Sequence, residues 1–381
     1  MAEKVLKMAL IGVGNMGKKY AEMITSGRVS GMKLTAIVIR RPELMKWGET
    51  LTNIDGEKVK IFCSADELFK AENSLFDAVI IATPHKTHKE LAVKAFCLNK
   101  AVLCDKPVAA DIGEAVAMEK AAKENGCIYG VVFHQRLYPK YIKIKELIDN
   151  GEIGDLKRIS LINSRYLRTA HYHKSGAWRS SFLGEGGGAL INQGQHILDM
   201  YQYLFGMPQR LYAAIPFGKY NDFDVDDEAT LVMEYDNGVT GTFILSTGEA
   251  CHEERLEVIG TKARILLIDD TLTITYHNDV NAYIKNENVN SREHMSYSEK
   301  TIQFEKAEEP YTQLLERFVK AVLENDESYL AAKGSEGINS LMLCAGAYYS
   351  ACNKAVVDLP LGAGKYSELM EQLIKKEESR G

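Results

Sequence analysis

Three stretches of this 381-residue chain hold residue types that do chemistry at defined spacings. The first is Gly12-Val13-Gly14-Asn15-Met16-Gly17, a G-x-G-x-x-G run between an apolar strand and a helix. In that setting Gly12 permits a tight turn, Gly14 lets a pyrophosphate reach the backbone, and Gly17 allows close helix–strand packing. The helix N-terminus presents free N–H groups and a positive dipole end to the phosphates, with Asn15 and Met16 of the turn on the cofactor side. The second stretch is Cys104-Asp105-Lys106-Pro107, at the end of a predicted strand. Ligands on open α/β sheets lie beyond the carboxyl ends of the strands, so Lys106 points toward the reacting centre. A cation there polarises a hydroxyl and stabilises the alkoxide that precedes hydride departure. Pro107 sets a defined, cis-capable peptide behind it. The third is Gly186-Gly187-Gly188 followed by a helix with Asn192 and His196 at i and i+4. The glycines permit close backbone approach to a ligand or cofactor. His196 has an ordinary pKa near ~6.5, suited to taking a hydroxyl proton at neutral pH. Asp199, three residues on, can orient the imidazole.

The second strand bears on which dinucleotide is bound. NAD enzymes usually place an Asp or Glu there for the ribose 2′-hydroxyl. Here the chain reads Ile39-Arg40-Arg41-Pro42. No carboxylate repels a 2′-phosphate, and a guanidinium could grip one, so the reading favours NADP over NAD. The alternative, Arg40 stacked on the adenine of NAD, stays open.

Around these stretches the first 135 residues alternate short apolar runs with amphipathic segments. Strands are predicted at Met8–Ile11, Leu34–Ile39, Lys60–Phe62, Asp77–Thr83, Ala101–Cys104 and Cys127–Phe133. Helices are predicted at Gly17–Thr25, Lys86–Leu98 and Ile112–Glu124. That alternation implies an α/β domain, a parallel sheet wrapped by helices. Beyond residue 150 strands dominate: Leu156–Ser164, Glu228–Tyr235, Val239–Ser246, Arg255–Ile259, Arg264–Leu267 and Thr271–Tyr276. Asp236-Asn237-Gly238 is a hairpin turn. Only one long helix, Ala189–Leu204, interrupts this block, which implies a largely antiparallel sheet with one face open. Asp279–Lys300 reads as a polar loop, and Pro310–Glu324 and Gly334–Asn353 as helices. The expected division is 1–135 for the dinucleotide domain and 136–381 for a substrate-binding and oligomerisation domain.

Composition narrows the class. Lys and Arg total 46 against 52 Asp and Glu, a formal net charge of −6, which argues against nucleic acid as a partner. Seven sparse cysteines without a C-x-x-C pair read as free thiols of a reducing compartment. The chain reads without a signal peptide or a membrane span, and a cytoplasmic location follows.

Taken together the motifs resemble those of the Gfo/Idh/MocA oxidoreductases, the glucose-fructose oxidoreductase and inositol dehydrogenase family. Thr83-Pro84-His85 with His88 is similar to the family's T-P-x-x-x-H step. Cys104 to Pro107 resembles its C-E-K-P, and Gly186 to Asp199 its G-G-G-x-L-x-D-x-G-x-H-x-x-D. Ala177-Trp178-Arg179 matches A-W-R, and Val357 to Leu361 fits the family's close. The resemblance implies a doubly wound Rossmann domain followed by an α+β domain with a large open sheet. It further implies dimers or tetramers formed through that sheet. The implied reaction is hydride transfer between NAD(P) and a secondary hydroxyl of a sugar, glycoside or cyclitol, with Lys106 and His196 carrying the proton chemistry. Thr83, Pro84, His85 and His88 fall on the cofactor side, the two histidines alternatively as helix caps.

One departure is that the family's frequent Asp is Asn192 here, which cannot take a proton and is read as a positioning residue. Tyr172, Trp178 and Arg179, in and after the aromatic segment Arg165–His173, are read as substrate-side. The loops Gly176–Gly186 and Phe217–Asp226 are read as setting sugar selectivity. His171, His173 and His196 raise a metal reading, but no metal is expected. Two other functions share the fold: an NAD-retaining glycoside hydrolase working by transient oxidation and elimination, and a dinucleotide-sensing regulator. The second is disfavoured because a sensor needs neither Lys106 nor His196.

Overall fold

The computed structural model describes residues 4–176, 178–290, 292–305 and 307–380. Met1–Glu3 and Ala177 of the Ala-Trp-Arg motif lie outside the described residues. The chain divides into two compact units, Met1–Leu137 with Glu308–Leu341, and Tyr138–Ala307 with Met342–Gly381.

The first unit is built on β1 (Leu6–Ile11), β2 (Met32–Val38), β3 (Lys60–Phe62), β4 (Ala78–Ile81), β5 (Ala101–Cys104) and β6 (Tyr129–Val131). They pair in the order β3-β2-β1-β4-β5-β6, every neighbour parallel. This is the doubly wound order, and it reverses direction between β1 and β4. β4 and β5 are buried along their whole length, as strands covered on both faces must be. The helix Asn15–Thr25 buries Gly17, Tyr20, Ala21, Met23 and Ile24.

The first break, Leu137/Tyr138, lies close to the expected 135/136, but residues 308–341 rejoin the first unit instead of the second. The helix Pro310–Glu324 returns to the first unit, because its Leu314, Leu315, Phe318 and Val319 share one core with Leu6, Met8 and Leu34. The sequence shows that this helix has an apolar stripe but not which sheet the stripe covers.

The second unit holds β7 (Leu156–Asn163), β8 (Arg210–Ala214), β9 (Glu228–Glu234), β10 (Thr240–Ser246), β11 (Glu254–Gly260), β12 (Ala263–Ile268), β13 (Thr271–His277), β14 (Tyr297–Gln303) and β15 (Val357–Asp358). They form one sheet in the order β14-β13-β12-β11-β7-β10-β9-β8-β15. All pairs are antiparallel except β7 with β10. Asp236–Gly238 does turn β9 into β10, with Gly238 at φ +79°. Burial alternates along β9 to β13, so one face is core and the other open. One expectation fails here. The segment read as a loop contains the short helix Val280–Ile284 and the start of β14. β14 is an edge strand with almost every residue exposed, so it carries no apolar alternation to read. The helix Pro139–Asp149 was not anticipated either. Its Lys140 is buried and donates to Glu254 Oε2 at 2.7 Å, the Asp269 carbonyl at 2.8 Å and Asp270 Oδ1 at 3.0 Å. Arg165 Nη1 also donates to Glu254 Oε2 at 2.7 Å, so one buried carboxylate ties the helix to β11.

Candidate active site

In the first unit the candidate residues gather beyond the carboxyl ends of β1, β2, β4 and β5. Gly12 sits at φ +100°, and a Cβ there would lie 2.6 Å from the Ala82 carbonyl oxygen and 2.8 Å from Thr83 Cγ2. A Cβ on Gly17 would lie 2.0 Å from the Gly12 carbonyl oxygen. Packing alone requires both glycines. Gly14 differs: it has φ −85°, and a Cβ there would meet nothing within 4 Å. Gly14 is the N-cap of the helix Asn15–Thr25 and supplies no side-chain cap. Two other helices of this sheet carry side-chain caps. Ser64 Oγ accepts from Glu67 N at 3.2 Å, and Asp111 Oδ1 from Glu114 N at 2.8 Å. Gly14 and Asn15 are exposed, and Met16 packs against the core. An uncapped helix N-terminus behind a glycine that packing does not need fits a pyrophosphate.

Beyond β2, Ile39 is buried and Arg40 exposed. Arg41 Nη2 donates to the Val13 carbonyl, which ties the second strand's end to the glycine turn. Its Nε lies 3.9 Å from Glu43. Beyond β4, Thr87 Oγ1 donates to Thr83 Oγ1 at 2.7 Å, and Pro84 leads into a short 3-10 turn, His85–Thr87.

His88 is corrected. It is wholly buried, so it neither faces a cofactor nor caps a helix. Its Nε2 lies 2.8 Å from the Thr83 carbonyl, and its Nδ1 3.1 Å from the Pro107 carbonyl and 3.2 Å from Cys104 Sγ. Burial lowers its pKa, so the ring is neutral. A neutral ring with Nε2–H to Thr83 and Cys104 S–H to Nδ1 satisfies both nitrogens. His88 thus fastens the loop after β4 to Cys104 at the end of β5, two residues before Lys106. The His85 ring lies edge-on to it at 5.9 Å.

The Lys106–Pro107 peptide is cis. Asp105 Oδ1 accepts from Lys106 N at 2.8 Å, and Tyr20 Oη lies 3.5 Å from Asp105 Oδ2. Burial pushes the Asp105 carboxyl up, against the pull of the Lys106 ammonium. Beyond β6, His134 stacks on Tyr311 at 4.0 Å. Its pKa is lowered to about 3, first by burial and then by Lys19 and Lys106. His134 was not singled out in the sequence, since its neighbours come from three separate segments.

In the second unit the site is organised around the helix after the glycine run. The single helix expected over 189–204 is two, Ala189–Asn192 and Gly194–Phe205, joined at Gln193, which keeps helical φ and ψ of −71° and −41°. Asn192 and His196 therefore keep their i, i+4 relation. Asn192 Nδ2 donates to Tyr172 Oη at 3.0 Å and to Glu185 Oε1. Gln193 Nε2 reaches the same phenol oxygen at 3.1 Å, and Arg179 Nη1 at 2.8 Å. Tyr172, Arg179 and Asn192 are thus brought together. Trp178, exposed, joins through Arg179, whose guanidinium lies 4.5 Å from the indole. Asp199 is buried and accepts from Gln202 Nε2 at 2.9 Å.

The glycine run is also corrected. A Cβ on Gly187 would lie 2.2 Å from Tyr348 Oη, and one on Gly188 1.9 Å from the Asp226 carbonyl oxygen. Asp226 Oδ1 accepts from Gly188 N at 2.9 Å and Oδ2 from Leu190 N at 2.7 Å, while Tyr348 Oη donates to the same carboxylate. Gly187 and Gly188 make room for the protein's own anchor rather than for a ligand, while a Cβ on Gly186 would meet nothing within 4 Å. Burial pushes the Asp226 carboxyl up, against these donors. Its neighbour Asp227 accepts from Lys219 N at 3.1 Å and Tyr220 N at 2.8 Å, which shapes the loop 217–226. No group of three or more His, Cys, Asp or Glu stands at metal-holding distance among the described residues. Among the same residues no helix is long and apolar enough to cross a membrane.

Comparison with known proteins agrees with this architecture. A Bacillus subtilis scyllo-inositol 2-dehydrogenase (NAD+) is 29% identical over 70% of this chain and 74% of its own. A levoglucosan dehydrogenase from Pseudarthrobacter phenanthrenivorans is 26% identical over 62% of this chain and 66% of its own. A solved levoglucosan dehydrogenase in complex with NADH superposes with a TM-score of 0.76 at 21% identity, over 94% of this chain and 100% of that one. The WlbA dehydrogenase of Bordetella pertussis, in complex with NADH and UDP-GlcNAcA, gives 0.75 at 20% identity, over 94% and 100%. At such identities these two structures bear on the fold alone. Residues 6–133 match the family model "Oxidoreductase family, NAD-binding Rossmann fold", and residues 141–266 match "GFO/IDH/MocA C-terminal domain". With both models of one family matched in order along the chain, this protein belongs to the Gfo/Idh/MocA oxidoreductases.

Proposed function

We propose that the protein is an NAD(P)-dependent dehydrogenase acting on a secondary hydroxyl of a sugar, glycoside or cyclitol. The observation that carries the reading is Gly14, a glycine free of packing demands at an uncapped helix N-terminus beside the β1/β4 reversal. The names of the relatives support the substrate class: inositol and levoglucosan dehydrogenases. Asn15, Met16, Arg40, Arg41, Thr83, Pro84 and His85 complete the proposed cofactor-side set. The bound dinucleotide supplies the hydride acceptor or donor. His196 takes the hydroxyl proton, and Lys106 holds the oxygen and steadies its developing charge. Asn192, Tyr172, Trp178 and Arg179 orient the substrate. NADP is favoured because Ile39, Arg40 and Arg41 present no carboxylate at the end of β2, and Arg41 reaches the glycine turn. The open sheet face exposes Tyr212, Val232 and Ile268, which supports pairing of two copies through it. Light scattering of the purified protein checks that pairing. The reading places the enzyme in the cytoplasm, where its seven free cysteines stay reduced.

The test is oxidation of a polyol panel with NADP+ and NAD+, followed by the absorbance of reduced nicotinamide. Lys106→Ala is expected to lower kcat by about 100-fold or more while cofactor affinity changes less than about threefold. Equal loss of both takes Lys106 out of the chemistry. Glycoside cleavage with tightly kept NAD and no net reduction moves the protein to the hydrolase reading.

A further inference from the structure

The segment 165–184 contains Arg165, Arg168, Lys174 and Arg179 and no acidic residue, in a chain of net charge −6. Arg165 has its counter-charge in Glu254, 2.7 Å away. Arg168 and Arg179 have none: among the described residues neither forms an ion pair with a carboxylate. Yet both are half-buried, with guanidinium carbons 4.4 and 4.5 Å from the centre of the same Tyr172 ring. Arg179 spends one N–H on Tyr172 Oη, whereas Arg168 Nε is buried with no hydrogen-bond partner.

A third donor stands beside them. The His173 ring lies 5.4 Å from the Tyr172 ring, its Nδ1 is paired with Ser180 Oγ, and its Nε2 is buried with no partner. When the Ser180 hydroxyl donates to Nδ1, Nε2 carries the hydrogen and lacks an acceptor. Burial lowers the His173 pKa, the two guanidiniums lower it further, and Asp227 opposes them. The nearby carboxylates are committed elsewhere. Glu185 accepts from Ser180 N and Asn192, and Asp227 from backbone N–H groups of 219–221. Two like charges held half-buried, with buried donors lacking acceptors, form a site short of an anion.

We propose that Arg168, Arg179 and His173 form an oxyanion subsite, so that the substrate is a polyol bearing a carboxylate or phosphate. The inference rests on the polyol-dehydrogenase reading and narrows its substrate class. The cluster lies where it can act on substrate. Tyr172, at its centre, is hydrogen-bonded to Asn192 and Gln193, one helical turn before His196.

The test compares each neutral sugar with its own charged forms: D-glucose with D-glucuronate and D-glucose 6-phosphate, and D-galactose with D-galacturonate and D-galactose 6-phosphate. Turnover with NADP+ and NAD+ and calorimetric binding to the cofactor-loaded protein are both measured. A charged member is expected to bind at least about tenfold more tightly than its neutral partner. The carboxylate and phosphate arms show which group is taken. Raising salt should weaken charged members selectively in the wild-type protein, which needs no variant to fold. Arg168→Gln should erase about tenfold or more of the charged-to-neutral preference, and Arg168→Lys should restore part of it. Neutral sugars that match or beat their charged partners in both series overturn the subsite while leaving the dehydrogenase reading intact. So does an Arg168→Gln variant that weakens both members equally. Arg168-dependent anion binding without any turnover keeps the subsite and removes the dehydrogenase reading.

Discussion

Two glycine-rich turns open helices in this protein, and they do opposite things. At Gly12–Gly17 the helix N-terminus is left without a side-chain cap, and the middle glycine faces open space. At Gly186–Gly188 the next helix is closed off by Asp226, whose carboxylate takes two of its amide hydrogens and the Tyr348 hydroxyl. The first turn leaves its helix N-terminus without a side-chain cap, which is where the pyrophosphate is proposed to sit. The second turn spends its amide donors on an anion the chain carries itself. A glycine run before a helix is therefore a statement about close approach, and only the approaching group decides whether the turn binds or braces.

The largest expected effect comes from closing the second turn. Gly188→Ala places a Cβ 1.9 Å from a backbone carbonyl that cannot retreat without breaking the anchor. A loss of about 3–5 kcal/mol in chemical denaturation is expected. Asp226→Ala, which strands the Gly188 and Leu190 amides and the Tyr348 hydroxyl, should cost about 3 kcal/mol, and Asp226→Asn about half that. If both Asp226 variants unfold at the wild-type denaturant concentration, the second turn is not a brace and the contrast collapses.

What the sequence made legible follows the same division. The first turn announced itself because everything that defines it is local: strand, glycines and helix within a few residues of one another. The strand ends carrying Thr83 and Lys106 were legible for the same reason. Asp226 was not, because it lies 38 residues from the amide it caps, in a loop whose composition carries no pattern. His88 was misread because backbone carbonyls of Thr83 and Pro107 make its pocket, and carbonyls leave no trace in residue types. Likewise the return of Pro310–Glu324 to the first unit was hidden. Its stripe of Leu314, Leu315 and Phe318 demands burial without naming a partner. Local chemistry could be read, while choice of partner across the chain could not.

The smallest effect on folding is the most discriminating, and it sets Gly14 against Gly186. Both would carry a Cβ into empty space. Gly186 stands at φ +87°, where an L-residue is strained, so Gly186→Ala should cost about 1–2 kcal/mol through the backbone alone. Gly14 stands at φ −85°, which any residue adopts, so Gly14→Ala should cost less, about 0.5–1 kcal/mol, the ordinary preference for Gly over Ala at a helix N-cap. Neither packing nor backbone conformation requires a glycine at position 14, and beyond its N-cap preference a ligand is the reason that affinity can test. Titration of the variant with NADP+ and NAD+ should show affinity lower by about tenfold or more, because the added methyl stands where the pyrophosphate meets the first helical turn. Unchanged affinity would place the dinucleotide elsewhere and remove the distinction between the two turns. Lost affinity with only that small loss of stability would show that the two kinds of glycine in this protein, those demanded by the fold and those demanded by a ligand, are separable by experiment.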